Sequence, residues 1–168
     1  ANNLATGAYS TALGTSNNAS GKIAVAVGAS NLAMGENSTA LGTSNNASGM
    51  SSISIGRGSR AQGNASIAMG EYATATGTNS IVMGLSSGFA NTGNGSVAIG
   101  MNAGQTVTGD GNTAVGYAAG QNVKELVRPT ITYSGSNSAF GSQAGYNVQG
   151  QHNTALGITS GRHVAGIQ

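Results

Sequence analysis

Residues Ser10–Gly21 read STALGTSNNASG, and the same string recurs at Ser38–Gly49. The offset is 28 residues, and alignment of the chain on one glycine shows that the underlying period is half of this, 14 residues. A repeat of this kind predicts a solenoid, in which each unit forms one coil and buries its surface against the next coil. The aligned glycines, 14 residues apart at first and 16 or 25 apart later, are Gly14, Gly28, Gly42, Gly56, Gly70, Gly84, Gly100, Gly116, Gly141 and Gly157.

The residues before each aligned glycine alternate at a period of two, which is typical of a β-strand and not of a helix. The residue just before the glycine is apolar in every unit, and the residue three before it is usually β-branched. Between them stands Ala in most units, and the residue four before the glycine is usually Ser or Asn. A second short strand is predicted around the small residues Ala19, Ala33, Ala47, Ala61 and Ala75. The predicted fold is therefore all-β, a parallel β-solenoid, or β-roll, of about ten coils whose strands pair from coil to coil.

One coil is longer than its neighbours, and the extra residues fall within Lys124–Tyr133, KELVRPTITY. This stretch contains Pro129, the only proline of the chain. Because proline cannot donate a hydrogen bond to a sheet ladder, residues 124–133 are predicted to leave the solenoid as a loop or hairpin. The rest of residues 1–168 is predicted to be a single repeat domain. Since the sequence begins in mid-unit and shows no capping unit, we expect it to be a fragment of a longer repeat array.

Composition excludes several classes of function. Charged residues are 6% of the chain, the net charge is +2 and there is no Cys, so neither a disulfide framework nor a thiolate metal site is possible. The Lys and Arg residues are scattered, whereas nucleic-acid binding needs clustered cations. The two histidines, His152 and His163, lie in turn-like stretches with no acid nearby in sequence. We predict no catalytic, cofactor or metal site, and therefore no enzyme.

The Ala column of the longer strand is small and uncharged, as is the Ser/Asn column beside it. A surface pressed against another backbone would have this composition, so we predict a homotrimer with the large residues inside each roll. The opposite assignment, with the large residues at the trimer axis, stays open, as does a monomeric solenoid. The residues predicted to form the trimer interface are Ala12, Ala26, Ala40, Ala68, Ala98, Ala114, Ala139 and Ala155.

The units NSTALGTSNNASG (Asn37–Gly49) and GSVAIG (Gly95–Gly100) resemble the head repeat of trimeric autotransporter adhesins, the YadA-like head. The resemblance covers nearly the whole chain. It implies a left-handed parallel β-roll, assembled as a homotrimer and displayed on the outer membrane of a Gram-negative bacterium. It further implies attachment to host cells or to extracellular matrix proteins such as collagen. Contact with the membrane would occur only through a C-terminal anchor that this sequence does not contain.

Candidate ligand-binding residues come from this resemblance and from exposed charges. Asn79, Ser80 and Ser87, with Gly84, match the pattern N-S-x-x-x-G-x-x-S, which the family links to collagen binding. The charges that interrupt the repeat are better candidates for specificity, and these are Arg57, Arg60, Lys124 and Arg128. A thin, filled roll is expected to have no deep pocket, which favours multivalent attachment to an extended partner.

A second reading concerns the later, longer units. GDGNTAVGYAAG (Gly109–Gly120) resembles repeats of phage tail fibres and other large bacterial surface proteins. The alternative function is therefore a structural shaft segment without a receptor site of its own.

Overall fold

The computed structural model describes residues 2–88, 93–123, 136–150 and 152–163. Within these ranges the chain forms two parallel sheets and no helix. The ten-stranded sheet takes the strand before each aligned glycine: β2 (Thr11–Thr15), β4 (Val25–Ala29), β6 (Thr39–Thr43), β8 (Ile53–Arg57), β10 (Ile67–Glu71), β12 (Ile81–Met83), β13 (Val97–Ile99), β14 (Thr113–Val115), β15 (Ser138–Phe140) and β16 (Thr154–Leu156). The six-stranded sheet takes the short second strands: β1 (Leu4–Ala5), β3 (Asn18–Ala19), β5 (Leu32–Ala33), β7 (Asn46–Ala47), β9 (Arg60–Ala61) and β11 (Thr74–Ala75).

The strands pair in register with the repeat. Gly14 pairs with Gly28, and every later pairing in the ten-stranded sheet keeps equivalent residues side by side. Ala114 pairs with Ala139, so the register resumes after the predicted insertion, whose residues lie outside the described ranges. The predicted all-β parallel solenoid of about ten coils is confirmed. At a strand spacing of about 4.8 Å, ten coils make a roll roughly 48 Å long.

The alanines of the ten-stranded sheet point into the roll, which corrects the predicted assignment of faces. Ala26 and Ala40 are 0% exposed in the single chain, and they form one buried cluster with alanines of the six-stranded sheet such as Ala33. Leu13, by contrast, is 63% exposed and lies on the outer face. The prediction that the alanines form a trimer interface is wrong, because side chains enclosed by their own roll cannot contact another chain. It fails for Ala26, Ala40, Ala68, Ala98, Ala114, Ala139 and Ala155, which are at most 5% exposed, and for Ala12 of the first coil, which is partly buried and packs against the same interior cluster.

The interior of a 14-residue coil is too thin for large side chains. The largest fully buried side chains include Val82, Val107 and three asparagines, and most of the others are Ser or Ala. The 16-residue coils are wider. In them Val107, Val123 and Val148 form a separate buried cluster, beside a partly open cavity of about 130 Å³.

Two columns of glycine let the coils approach each other. At Gly42 φ is +120°, and an added Cβ would lie 2.9 Å from the Asn45 side-chain nitrogen and overlap the Gly56 carbonyl oxygen. At Gly49 the backbone conformation is ordinary, but a Cβ would lie 2.5 Å from the carbonyl carbon of Gly63. The first column therefore needs glycine for conformation and for space, and the second needs it for space alone.

A ladder of buried asparagines runs through the first coils. The amide nitrogen of Asn31 donates to the side-chain oxygen of Asn17 at 3.0 Å and to the carbonyl oxygens of Val27 and Gly42 at 2.9 and 2.7 Å. Its own side-chain oxygen accepts from the backbone and side-chain nitrogens of Asn45, both at 3.0 Å. Each asparagine thus provides a hydrogen-bond acceptor to its equivalent in the next coil, and buried polar groups require such partners. A second ladder of the same kind joins the wider coils through Asn112, Asn137 and Asn153.

The serine column next to the interior alanines behaves differently. The hydroxyl oxygens of Ser38, Ser52 and Ser66 are buried without a hydrogen-bond partner among the described residues. Ala24 occupies the equivalent place in an earlier coil and is also fully buried. The hydroxyl is therefore not needed to build the coil.

The Gly49→Ala and Gly95→Ala variants separate crowding between coils from turn geometry. At position 49 the new methyl must displace backbone, so we expect a loss of at least about 3 kcal/mol in free energy of unfolding. Gly95 has φ +62° with nothing within 4 Å of an added Cβ, so its loss should be about 1 kcal/mol of backbone strain. Denaturant titration at fixed protein concentration measures both. Equal losses would contradict the spatial role of the second glycine column.

The Asn31→Ala and Ser52→Ala variants test the ladder against the serine column. Removal of the Asn31 side chain leaves two backbone carbonyl oxygens and the buried side-chain amide of Asn45 without the hydrogen bonds that Asn31 makes to them. We therefore expect a loss of about 3 kcal/mol in free energy of unfolding. Ser52→Ala removes a hydroxyl without a partner, so stability should stay within about 0.5 kcal/mol or rise. Thermal and denaturant unfolding check both variants. A larger loss for Ser52→Ala than for Asn31→Ala would contradict the assignment of roles.

Candidate binding surfaces

An uncharged, largely apolar surface covers the outer side of the ten-stranded sheet, and we call it the outer apolar face. It consists of the positions one and three before each aligned glycine. Phe140 is 40% exposed there, and Leu156, in the last coil, is 77% exposed. The residues of this face are Thr11, Leu13, Val25, Val27, Thr39, Leu41, Ile53, Ile55, Ile67, Met69, Ile81, Met83, Val97, Ile99, Thr113, Val115, Ser138, Phe140, Thr154 and Leu156.

A face of this length is unusual for a monomer. Isolated proteins rarely expose contiguous apolar patches beyond a few hundred Å², and larger ones mark contact surfaces. Here the two columns extend over ten strands, roughly 48 Å. Sequence reasoning identified these residues but placed them inside the roll. The outer apolar face can therefore bury a partner of matching length, and a second copy of the same roll has that length.

Charged groups border this face at the ends of two of its strands, and others lie at turns and on the second sheet. Arg57 ends β8 and forms a salt bridge with Glu71 of the next coil. The hydrogen bond from the Arg57 guanidinium to the Glu71 carboxylate raises the pKa of Arg57 above its ordinary value. The guanidinium also lies 5.4 Å from the centre of the Tyr72 ring. Lys22 and Glu36 form a second pair between coils at 3.4 Å.

Arg57 and Arg60 are both exposed, as predicted, but their surroundings differ. Arg60 begins β9 on the outer side of the six-stranded sheet, where its register partner is Thr74. No carboxylate of the described residues lies within salt-bridge distance of Arg60. Sequence reasoning missed Tyr72, which is 51% exposed. The signal that could have identified it is its place in a column that has Ser in four coils and no other aromatic residue.

The residues of the N-S-x-x-x-G-x-x-S pattern divide into one exposed and two buried side chains. Asn79 is exposed in a turn with φ 57°. Ser80 is 1% exposed and donates to the carbonyl oxygen of Gly93 at 3.0 Å. Ser87 is 0% exposed and donates to Gly84 at 3.1 Å. The predicted ligand-binding role of Ser80 and Ser87 is therefore wrong in this roll, because their hydroxyls are used inside it.

The predicted candidates Lys124 and Arg128, with the whole insertion 124–133, lie outside the described residues. Their roles stay predictions.

The described residues contain no grouping of three or more His, Asp or Glu side chains that could hold a metal ion. His152 and His163 are exposed, and His163 packs edge-on against Tyr146 with ring centres 6.0 Å apart. A search of the described part of the chain for a helix long and apolar enough to cross a membrane found none.

Comparison with known proteins agrees with this geometry. The family model described as the YadA head domain repeat (2 copies) matches residues 5–31, 33–59, 61–87 and 92–103. No curated protein shows a significant match. The matched ranges cover more than half of the chain and follow the 14-residue coils. They end at residue 103, before most of the 16-residue coils.

Proposed function

The chain belongs to the YadA head domain family, and from this premise we propose that it is an adhesin head that attaches as a homotrimer to host cells or extracellular matrix. Heads of this family belong to surface-exposed adhesins and not to enzymes. The observation that carries the proposal is the outer apolar face, which runs the length of the roll without a charge. A trimer would cover it, and the turns and the six-stranded sheet would remain free to meet a host surface.

The energetic argument for assembly starts from the thin interior. Enclosed alanines bury little apolar area, and most of the larger Leu, Ile, Val and Met side chains stay outside the roll. Burial between copies would stabilise the assembly by about 25 cal/mol for each Å² of apolar surface removed from water. Three rolls around one axis form a closed assembly, which leaves no further copy of the outer apolar face exposed.

Attachment through such a trimer would be multivalent. Each exposed turn recurs at about 4.8 Å along the roll and again on each of three chains. An extended polymer such as collagen can contact several of these positions at once, so avidity replaces tight binding at one site. Display on the outer membrane of a Gram-negative bacterium belongs to the same proposal.

A second candidate function rests on the wider coils. The matched ranges end at residue 103, and the coils that follow add an interior valine cluster but no second charged surface among the described residues. This part of the chain would suit a structural shaft, as in phage tail fibres, that spaces a receptor-binding part from its base.

The trimer is tested by charge on the outer apolar face. Light scattering on the native chain should give three times 16.2 kDa. Ile67→Arg places three like charges against the axis, where burial without partners is costly, so it should yield monomers or unfolded chain. The matched control is Leu32→Arg, on the outer side of the six-stranded sheet, where Arg60 stands two coils later. A native monomer at micromolar concentration, or equal effects of both variants, would contradict the trimer.

Adhesion is tested on surfaces coated with collagen, other matrix proteins or host cells. We expect the native trimer to bind at least one of them and the monomeric Ile67→Arg variant to lose at least about a hundredfold in apparent affinity. Deletion of residues 124–133 and the double variant Arg57→Ala, Arg60→Ala should each reduce attachment. The control is the double variant Lys22→Ala, Arg162→Ala, which removes the same charge elsewhere. Unchanged attachment in both test variants would favour the shaft function.

A further inference from the structure

An open groove of about 570 Å³ lies where the 14-residue coils meet the 16-residue coils. The six-stranded sheet ends there with β11, and the first 16-residue coils follow it. We call this feature the junction groove. Its lining includes Ser44, Arg60, Tyr72, Thr74, Ser86 and Gln105. The groove therefore lies at the change in coil size, where Arg60 and Tyr72 depart from the repeat.

The floor of the junction groove carries an aromatic ring. The position two residues after the aligned glycine is Ser in most of the early coils, but Gly58 and Tyr72 occupy it in two successive coils. A Cβ on Gly58 would lie 2.8 Å from the Tyr72 ring, so glycine at 58 lets the ring lie against the backbone of the preceding coil. The ring stays half exposed and offers an apolar surface to the groove.

The charge in the groove is a single unneutralised guanidinium. Arg57, whose guanidinium lies over the Tyr72 ring, is paired with Glu71, whereas Arg60 has no acidic partner among the described residues. The Gln105 side chain, which also lines the groove, is held in place by two hydrogen bonds. Its amide nitrogen donates to the carbonyl oxygen of Ser86 at 2.9 Å and to the side-chain oxygen of Asn102 at 3.0 Å. The groove thus combines one free cation, one aromatic ring and serine hydroxyls.

We propose that the junction groove binds an anionic sugar residue, with the carboxylate or sulfate on Arg60 and the sugar ring on Tyr72. A guanidinium can donate two parallel hydrogen bonds to a planar carboxylate or to a tetrahedral sulfate. A sugar ring has a face of C–H groups that packs on an aromatic ring, and its hydroxyls suit Ser44 and Ser86. The groove volume falls in the range of small-ligand sites.

Other ligand classes fit the same groove less well. An extended peptide would need a free sheet edge. β11 is the last strand of the six-stranded sheet, but the backbone nitrogen of Thr74 already donates to the carbonyl oxygen of Ser87 in the next coil at 3.1 Å. A nucleic acid would need several cations along its backbone, and the groove offers one. A neutral sugar would leave Arg60 without a counter-charge.

The inference deepens the proposed adhesion function and rests on it, because host surfaces and matrix carry acidic glycans. One groove per chain would give three in a trimer, so a weak sugar contact would gain from simultaneous binding.

Binding of three probes to the native trimer tests the proposal: sialyllactose carries a carboxylate, a heparin tetrasaccharide carries sulfates, and lactose is neutral. Calorimetry or ligand-observed NMR should show at least tenfold tighter binding of one anionic probe than of lactose, and the tighter of the two identifies the anion. Arg60→Ala and Tyr72→Ser should each weaken that binding at least tenfold. Tyr72→Ser installs the residue of neighbouring coils, so the roll should remain folded by circular dichroism.

Lys22→Ala is the matched control, since it removes a cation far from the groove, and it should leave sugar binding unchanged. Binding of neither anionic probe at millimolar concentration, or equal loss in Lys22→Ala and Arg60→Ala, would overturn the proposal. Attachment of the native trimer to matrix-coated surfaces is recorded in parallel. Attachment without sugar binding would overturn the sugar inference alone, and attachment to no surface would overturn the adhesion function itself.

Discussion

Inside each 14-residue coil, two sheets meet through side chains no larger than Ala, Ser or Asn, apart from Val82 where the coils begin to widen. This thin interior excludes the larger apolar side chains, so they stand in two columns on the outer side of the ten-stranded sheet. A single roll therefore holds together through backbone pairing, glycine contacts and asparagine ladders more than through a large apolar core. The outer apolar face follows from the same constraint, and so does the case for assembly with further copies.

Stacking in register makes each residue the neighbour of its own equivalents. Such stacking favours side chains that can hydrogen-bond to an identical side chain. The side-chain oxygen of Asn17 accepts from Asn31 in this way, and that of Asn31 accepts from Asn45. It also requires glycine where successive backbones touch, as at Gly49 against Gly63. Like charges in one column would repel, and the two described ion pairs instead join opposite charges in successive coils.

Specific chemistry is concentrated where the repeat is interrupted. A regular coil presents the same small side chains at each step, which suits multivalent contact but distinguishes partners poorly. Tyr72, Arg60 and the change in coil size depart from that regularity at one place, and together they form the junction groove. The described part of the chain thus combines a repeated scaffold with an irregular site where the coil size changes.

The sequence by itself determined the coil count, the strand positions and the register, because a period of 14 residues and an alternation of two are visible without coordinates. It also identified the exposed charges Arg57 and Arg60, since they interrupt columns of small residues. For Ser80 and Ser87, a motif match could not reveal that both hydroxyls bond to carbonyls within the roll.

Only the tertiary structure decided which face of the strand lies inside. A pattern that alternates every two residues is compatible with either face of the strand pointing inward, and sequence reasoning assigned the large residues to the interior. The distance at which the two sheets close decided otherwise: Ala40 is enclosed at 0% exposure and Leu13 is left 63% exposed. Likewise, Tyr72 and Arg60 are twelve positions apart in the chain. They share one groove because stacking brings successive coils to within about 4.8 Å of each other.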